Sequence, residues 1–162
     1  MFEYSSKKDK ISDIYEENKQ TKKANKLLVN IADLYKDTYK SVKAKNLYFQ
    51  LLTQDIEDIA IKIKCYLGLI DLEANQNDKK ILQDYFDKIF ADLNKIDDNI
   101  IKSEAYFKFA LFKDDEGKTQ DALNFYKKSI DMCKDGSVNL YLSSCYSNIS
   151  AIYEEQNQMD LA

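Results

Sequence analysis

Apolar residues recur every three or four positions along most of the chain. Leu27, Leu28, Ile31, Leu34 and Tyr35 set the pattern, and Leu47, Tyr48, Leu51 and Leu52 continue it. It returns at Ile59, Ile63, Tyr66, Leu67 and Ile70, then at Ile81, Leu82, Tyr85, Phe86, Ile89, Phe90 and Leu93. Tyr106, Phe109 and Ala110 follow, then Leu123, Phe125, Tyr126 and Ile130, and last Tyr146, Ile149 and Tyr153. This is the period of a helix with one buried face. No segment sustains the strict alternation of a strand, so the expected fold class is all-α.

Polar clusters mark the breaks: KDTYKS, EANQND, NKIDDN, KDDEGK, CKDGS and EEQNQ. They predict helices near 24–37, 41–53, 57–73, 78–94, 98–114, 118–133 and 137–155, with a further helix near 7–20. Connections this short make successive helices antiparallel neighbours. Asp78 and Ser137 are candidate N-caps. Gly117 and Gly136 suit left-handed positions at helix ends, and Asp97 and Asp98 favour the N-terminus of the helix that follows them.

Composition narrows the chemistry further. The 162 residues include no proline, and every one of the 24 basic residues is lysine. Without histidine the usual general base near neutral pH is missing. Without arginine there is no bidentate clamp for phosphate or carboxylate. The net charge of −4 argues against direct nucleic-acid binding. Cys65, Cys133 and Cys145 have neither metal-ligand nor disulfide-framework spacing. They read as small apolar side chains in a reducing, cytoplasmic setting. The N-terminal stretch has no apolar run of a signal peptide, and no stretch is apolar for long enough to insert in a membrane.

Isolated motifs fade on inspection. Glu116–Thr119 ends like a phosphate-binding loop, but Phe112 stands where that loop needs a glycine. Acidic pairs such as Glu16-Glu17, Asp97-Asp98 and Glu154-Glu155 fall at helix ends and turns, where solvation explains them. The sequon at Asn148–Ser150 lies inside a helix. No catalytic residue, cofactor or metal is expected.

Three segments align on a small residue after an aliphatic one: LLVNIADLYKDTYKSVKAKNLYFQLL, AYFKFALFKDDEGKTQDALNFYKKSI and CYSNISAIYEEQNQMDLA. Here the chain resembles the tetratricopeptide repeat family, in its long-repeat form. The slots hold Leu28, Ile31, Ala32, Tyr35, Ala44 and Tyr48, then Tyr106, Phe109, Ala110, Ala122 and Tyr126. In the last segment they hold Tyr146, Ile149, Ser150, Tyr153 and Ala162. Lys113 and Asp71 depart from the expected tyrosine, and Lys80 from the expected alanine. The small residues at 32, 68, 110 and 150 give spacings near 40.

The resemblance implies a right-handed superhelical solenoid of helix hairpins. Residues 1–23 would form an N-terminal helix or cap. About 3.5 repeats would follow over 24–56, 57–96, 97–136 and 137–162, the last one truncated. It also implies a non-catalytic module that binds a protein or extended peptide in a concave groove. Asn30 and Asn148 stand before the aliphatic–small pair, where an amide can both donate to and accept from a peptide backbone. The middle repeats hold Tyr66 and Lys108 in that slot, so there is no continuous asparagine ladder. Asp33, Phe107, Lys108, Leu111 and Ala151 complete the candidate groove, with Phe107 and Leu111 as its apolar spot. The last helix is expected to leave Ile149, Ile152 and Tyr153 poorly covered and open to self-association. A second expectation is that the chain is the sensory or regulatory arm of a larger signalling enzyme or transcription regulator, with its output domain beyond residue 162.

Overall fold

The computed structural model describes residues 2–54, 56–74, 78–133 and 140–160, with side-chain surroundings for 17, 19–54, 56–74, 78–133 and 140–157. Among these residues the chain is all-α and has no strand. Its helices are α1 (Phe2–Asp37), α2 (Ser41–Thr53), α3 (Ile59–Glu73), α4 (Lys79–Asp92), α5 (Asn99–Asp115), α6 (Thr119–Asp131) and α7 (Leu140–Asp160), with a 3-10 turn at Leu93–Lys95. No described helix is long and apolar enough to cross a membrane.

Aspartates start three of the helices. Asp58 accepts from the Ala60 and Ile61 amides at 3.1 and 3.4 Å, and Asp98 from Ile100 and Ile101, both at 3.0 Å. Asp78 accepts from Ile81 at 3.1 Å, as expected of an N-cap. Each such bond satisfies an amide that the helix cannot, and a cap is worth about 1 kcal/mol. Ser137, Gly136 and Ala162 lie outside the described residues.

Two helix boundaries differ from expectation. The separate helices near 7–20 and 24–37 are one continuous α1. The residues between them, Thr21 to Lys23, contain no glycine or proline to stop it. The polar stretch Glu154–Gln158 does not end α7, which continues to Asp160. Glutamate and glutamine are good helix formers, so polarity there marks a solvated surface and not a stop.

The chain divides into two compact units, Met1–Leu82 and Gln83–Ala162. In the first, α1, α2 and α3 pack on one another; in the second, α5, α6 and α7 do the same. Each unit therefore holds a hairpin and a third helix touching both of its arms. Helix α2 buries Ala44, Tyr48 and Leu51, and α6 buries Ala122, Leu123, Tyr126 and Ser129. Both faces follow the i, i+4, i+7 spacing.

The hairpins match at a constant offset of 78 positions, from Ser41 to Thr119 and from Thr53 to Asp131. Their turns match too. The Tyr39 and Lys40 amides bond the Lys36 and Tyr35 carbonyls, and the Gly117 and Lys118 amides bond those of Asp114 and Lys113. Tyr39 has φ 58° and Gly117 φ 72°, so both turns close through a left-handed residue.

The cores are filled differently. Gly68 on α3 lies against the Tyr48 ring so closely that any Cβ would land on it. The small residue is what lets α3 approach α2. In the second unit Ala110, Ala122, Leu123, Tyr126, Cys145 and Ile152 form one cluster, with Phe107, Phe125, Ile130 and Ile149 packed around it. Helix α7 thus turns Cys145 and Ile152 inward. Ser150, expected in the small core slot, is exposed. The expected bare flank is narrower than anticipated: Ile152 is buried and Ile149 half-buried, while Tyr146 and Tyr153 face outward.

Candidate functional site

In the first unit, Asp33 on α1 accepts a hydrogen bond from the buried Tyr48 hydroxyl on α2. Lys36, one turn along α1, bonds Asp71 on α3 at 2.7 Å and lies 3.9 Å from Asp33. One polar network therefore ties all three helices together. It accounts for Asp71 in a slot expected to hold tyrosine: the carboxylate pairs with Lys36. Burial first, and then the bond to Asp33, hold the Tyr48 phenol far above its ordinary range. Burial also pushes the Cys65 thiol up to about 12, with the Asp33 charge adding to it.

Asn30 is exposed on α1, three positions before Asp33. Leu27 and Leu34 stand three before and four after it, each 60% exposed. They share one stripe of the helix.

The second unit carries the other candidates. Phe107 on α5 is half-buried, its ring 6.0 Å from that of Tyr126 and 5.2 Å from that of Tyr141 on α7. It sits at the edge of the core cluster. Lys108 sits 3.6 Å from Glu104 one turn back. Leu111 is 40% exposed, Asn148 on α7 is half-buried and Ala151 is exposed. Because α5 and α7 pack directly together, these five residues belong to two adjacent helices. Asn30 and Asp33 belong to the first unit.

At the constant offset, Leu111 takes the place of Asp33. Tyr126, the counterpart of Tyr48, consequently has a buried hydroxyl with no hydrogen-bond partner among the described residues. Burial, with the nearby Asp114 charge, raises its phenol pKa. Lys113, also in a slot expected to hold tyrosine, lies over the Phe109 and Phe112 rings at 4.7 and 4.8 Å. Its ammonium also bonds Glu116 at 2.7 Å and Gln83 at 3.1 Å. The Lys113 bond, the larger influence, and that of Lys118 hold the Glu116 carboxyl below its ordinary 4.5.

Several polar groups were not anticipated. Glu73 is buried at the end of α3 and paired with Lys45. Ser103 and Ser129 exchange bonds between α5 and α6: the Ser129 hydroxyl donates to the Ser103 carbonyl at 2.8 Å, and the Ser103 hydroxyl to the Ser129 carbonyl at 3.1 Å. Cys133 donates to the same Ser129 carbonyl at 3.1 Å. A serine inside an apolar period is the only sequence sign of such a pair. Among the described residues no His, Cys, Asp or Glu group is arranged to hold a metal ion.

No protein-family model, curated protein or solved structure matches this chain.

Proposed function

We propose that the chain is a non-catalytic interaction module of the tetratricopeptide type, a solenoid of helix hairpins that binds a protein or an extended peptide along its inner helices. The observation that carries this reading is the juxtaposition on α5 and α7. Leu111 offers a half-exposed apolar contact beside the half-buried Phe107, and Asn148 offers an amide on the neighbouring helix. Apolar anchoring with adjacent amide donors and acceptors suits a peptide held by its backbone and one apolar side chain. The recurrence of one hairpin, with its turn and buried Ala-x-x-x-Tyr register, supports the repeat architecture.

The test is peptide selection by phage display on the full chain, followed by titration of the selected peptides into variants. Leu111→Asp is expected to weaken binding about tenfold, and Asn148→Ala by a few-fold. Unchanged affinity in both, with the fold intact by circular dichroism, would rule out this groove.

A further inference from the structure

In the second unit one face of α5 is covered by α4. Phe86 packs on Phe109 and Phe112 with ring centroids 4.7 and 5.3 Å away, and Phe90 on Tyr106 and Phe109 at 5.8 and 4.8 Å. Phe109 and Phe112 are buried as a result. At the offset of 78 the first unit has Ile31 and Leu34 in those two places. Leu27 stands where the second unit has the fully buried Ala105. Yet Leu27 and Leu34 are mostly exposed, and Ile31 is only half-buried. Helix α1 thus keeps an apolar face that its sister hides under a helix, and no described segment covers it.

We propose that this face of α1 docks an amphipathic helix of another polypeptide, one bearing two aromatic residues four positions apart, as α4 does on α5. Residues four apart project from one side of a helix, and their rings fill the spaces between leucines at i, i+4 and i+7. Contiguous exposed apolar residues of this kind mark binding surfaces. Charge narrows the partner further. Lys23 and Lys26 are exposed on the same stretch of α1, so acidic residues beside the aromatic pair fit best. Helix α4 supplies the aromatic pair in Phe86 and Phe90, with Asp84 and Asp87 close by in sequence and Asp84 paired with Lys88. The docking face runs past Asn30 on α1, whereas the groove contacts tested above, Leu111 and Asn148, lie on α5 and α7.

A fluorescent synthetic peptide of residues 79–95 supplies the probe, titrated into the full chain and read by anisotropy. Saturable binding is expected, weakened about tenfold or more by the combined Leu27→Asp and Leu34→Asp variant. It should be unchanged by Leu111→Asp, which reports on the groove. Both leucines are exposed, so the double variant should keep its helical circular dichroism. A peptide with alanine at both phenylalanines should bind as weakly as the wild-type peptide binds the double variant. Equal binding of the wild-type peptide to the wild-type chain and the double variant overturns the proposal, as does a lack of saturable binding. Sedimentation of the unlabelled chain tests a second copy as occupant. A dimer that the leucine substitutions dissociate would assign the face to self-association and overturn docking of a foreign helix.

Discussion

Tyr48 and Tyr126 stand at the same position of two hairpins that share a turn, and their hydroxyls meet different surroundings. Tyr48 donates to Asp33, whereas the position equivalent to Asp33 in the second hairpin holds Leu111, which offers no acceptor. Both rings are fully buried. The comparison separates what the position requires from what each unit adds. The requirement is volume: a large ring fills the space that a nearby small residue opens. The hydroxyl partner is optional. In the first unit it belongs to a network with Lys36 and Asp71. In the second, aromatic rings from α4, α5 and α6 provide the cohesion instead, with Phe109 and Phe125 edge to face at 4.6 Å.

The contrast can be broken hardest at Gly68. Gly68→Val places a branched side chain on the Tyr48 ring, which its bond to Asp33 holds in place. A loss of about 3 kcal/mol is expected in urea unfolding. At Gly117 an added Cβ meets nothing within 4 Å, so Gly117→Val should suffer mainly the backbone cost of its left-handed φ. If the two cost the same, close packing at Gly68 is not what distinguishes it.

The tyrosines themselves come next. Tyr48→Phe should destabilise by about 1–2 kcal/mol, because Asp33 loses its donor. Tyr126→Phe should be neutral or slightly stabilising, since it removes a buried hydroxyl that has no partner among the described residues. Equal losses in chemical denaturation would mean that the hydroxyls are equivalent after all.

The smallest effect tests the turns. Tyr39 is a bulky residue in the left-handed region and is 95% exposed, while its counterpart is Gly117. Tyr39→Gly should stabilise by roughly 0.5–1 kcal/mol, and Gly117→Ala should destabilise by a similar amount. Thermal melts of the pair, shifting in opposite directions, would sharpen the equivalence of the two hairpins.

The sequence was most legible where a local rule was enough. The ends of α2 follow from the polar break before Ser41 and the apolar register of Ala44, Tyr48 and Leu51. The Asp78 cap and the left-handed Gly117 follow from single residues. Legibility failed where polarity was taken for a break, at Glu154–Gln158, because a solvated helix and a loop are both polar. It failed again on α7, where Cys145 and Ser150 are both small and only packing decides which turns inward. The bond between Lys36 and Asp71 joins residues 35 positions apart, and no periodicity encodes it. Of the candidate site, Leu111 and Asn30 are exposed. Asp33 was expected in a groove, and its role as acceptor for Tyr48 came into view only with the neighbouring helix.

The buried thiols have a practical consequence. Cys65 belongs to the first unit and Cys145 to the second, both unpaired and both inside their cores. Burial raises both thiol pKa values, which leaves little thiolate to react with an alkylating reagent. Modification must wait for the surrounding helices to part. The two cysteines are therefore native stopwatches, and the labelling rate of each reads the opening of its own half of the molecule without any probe being added.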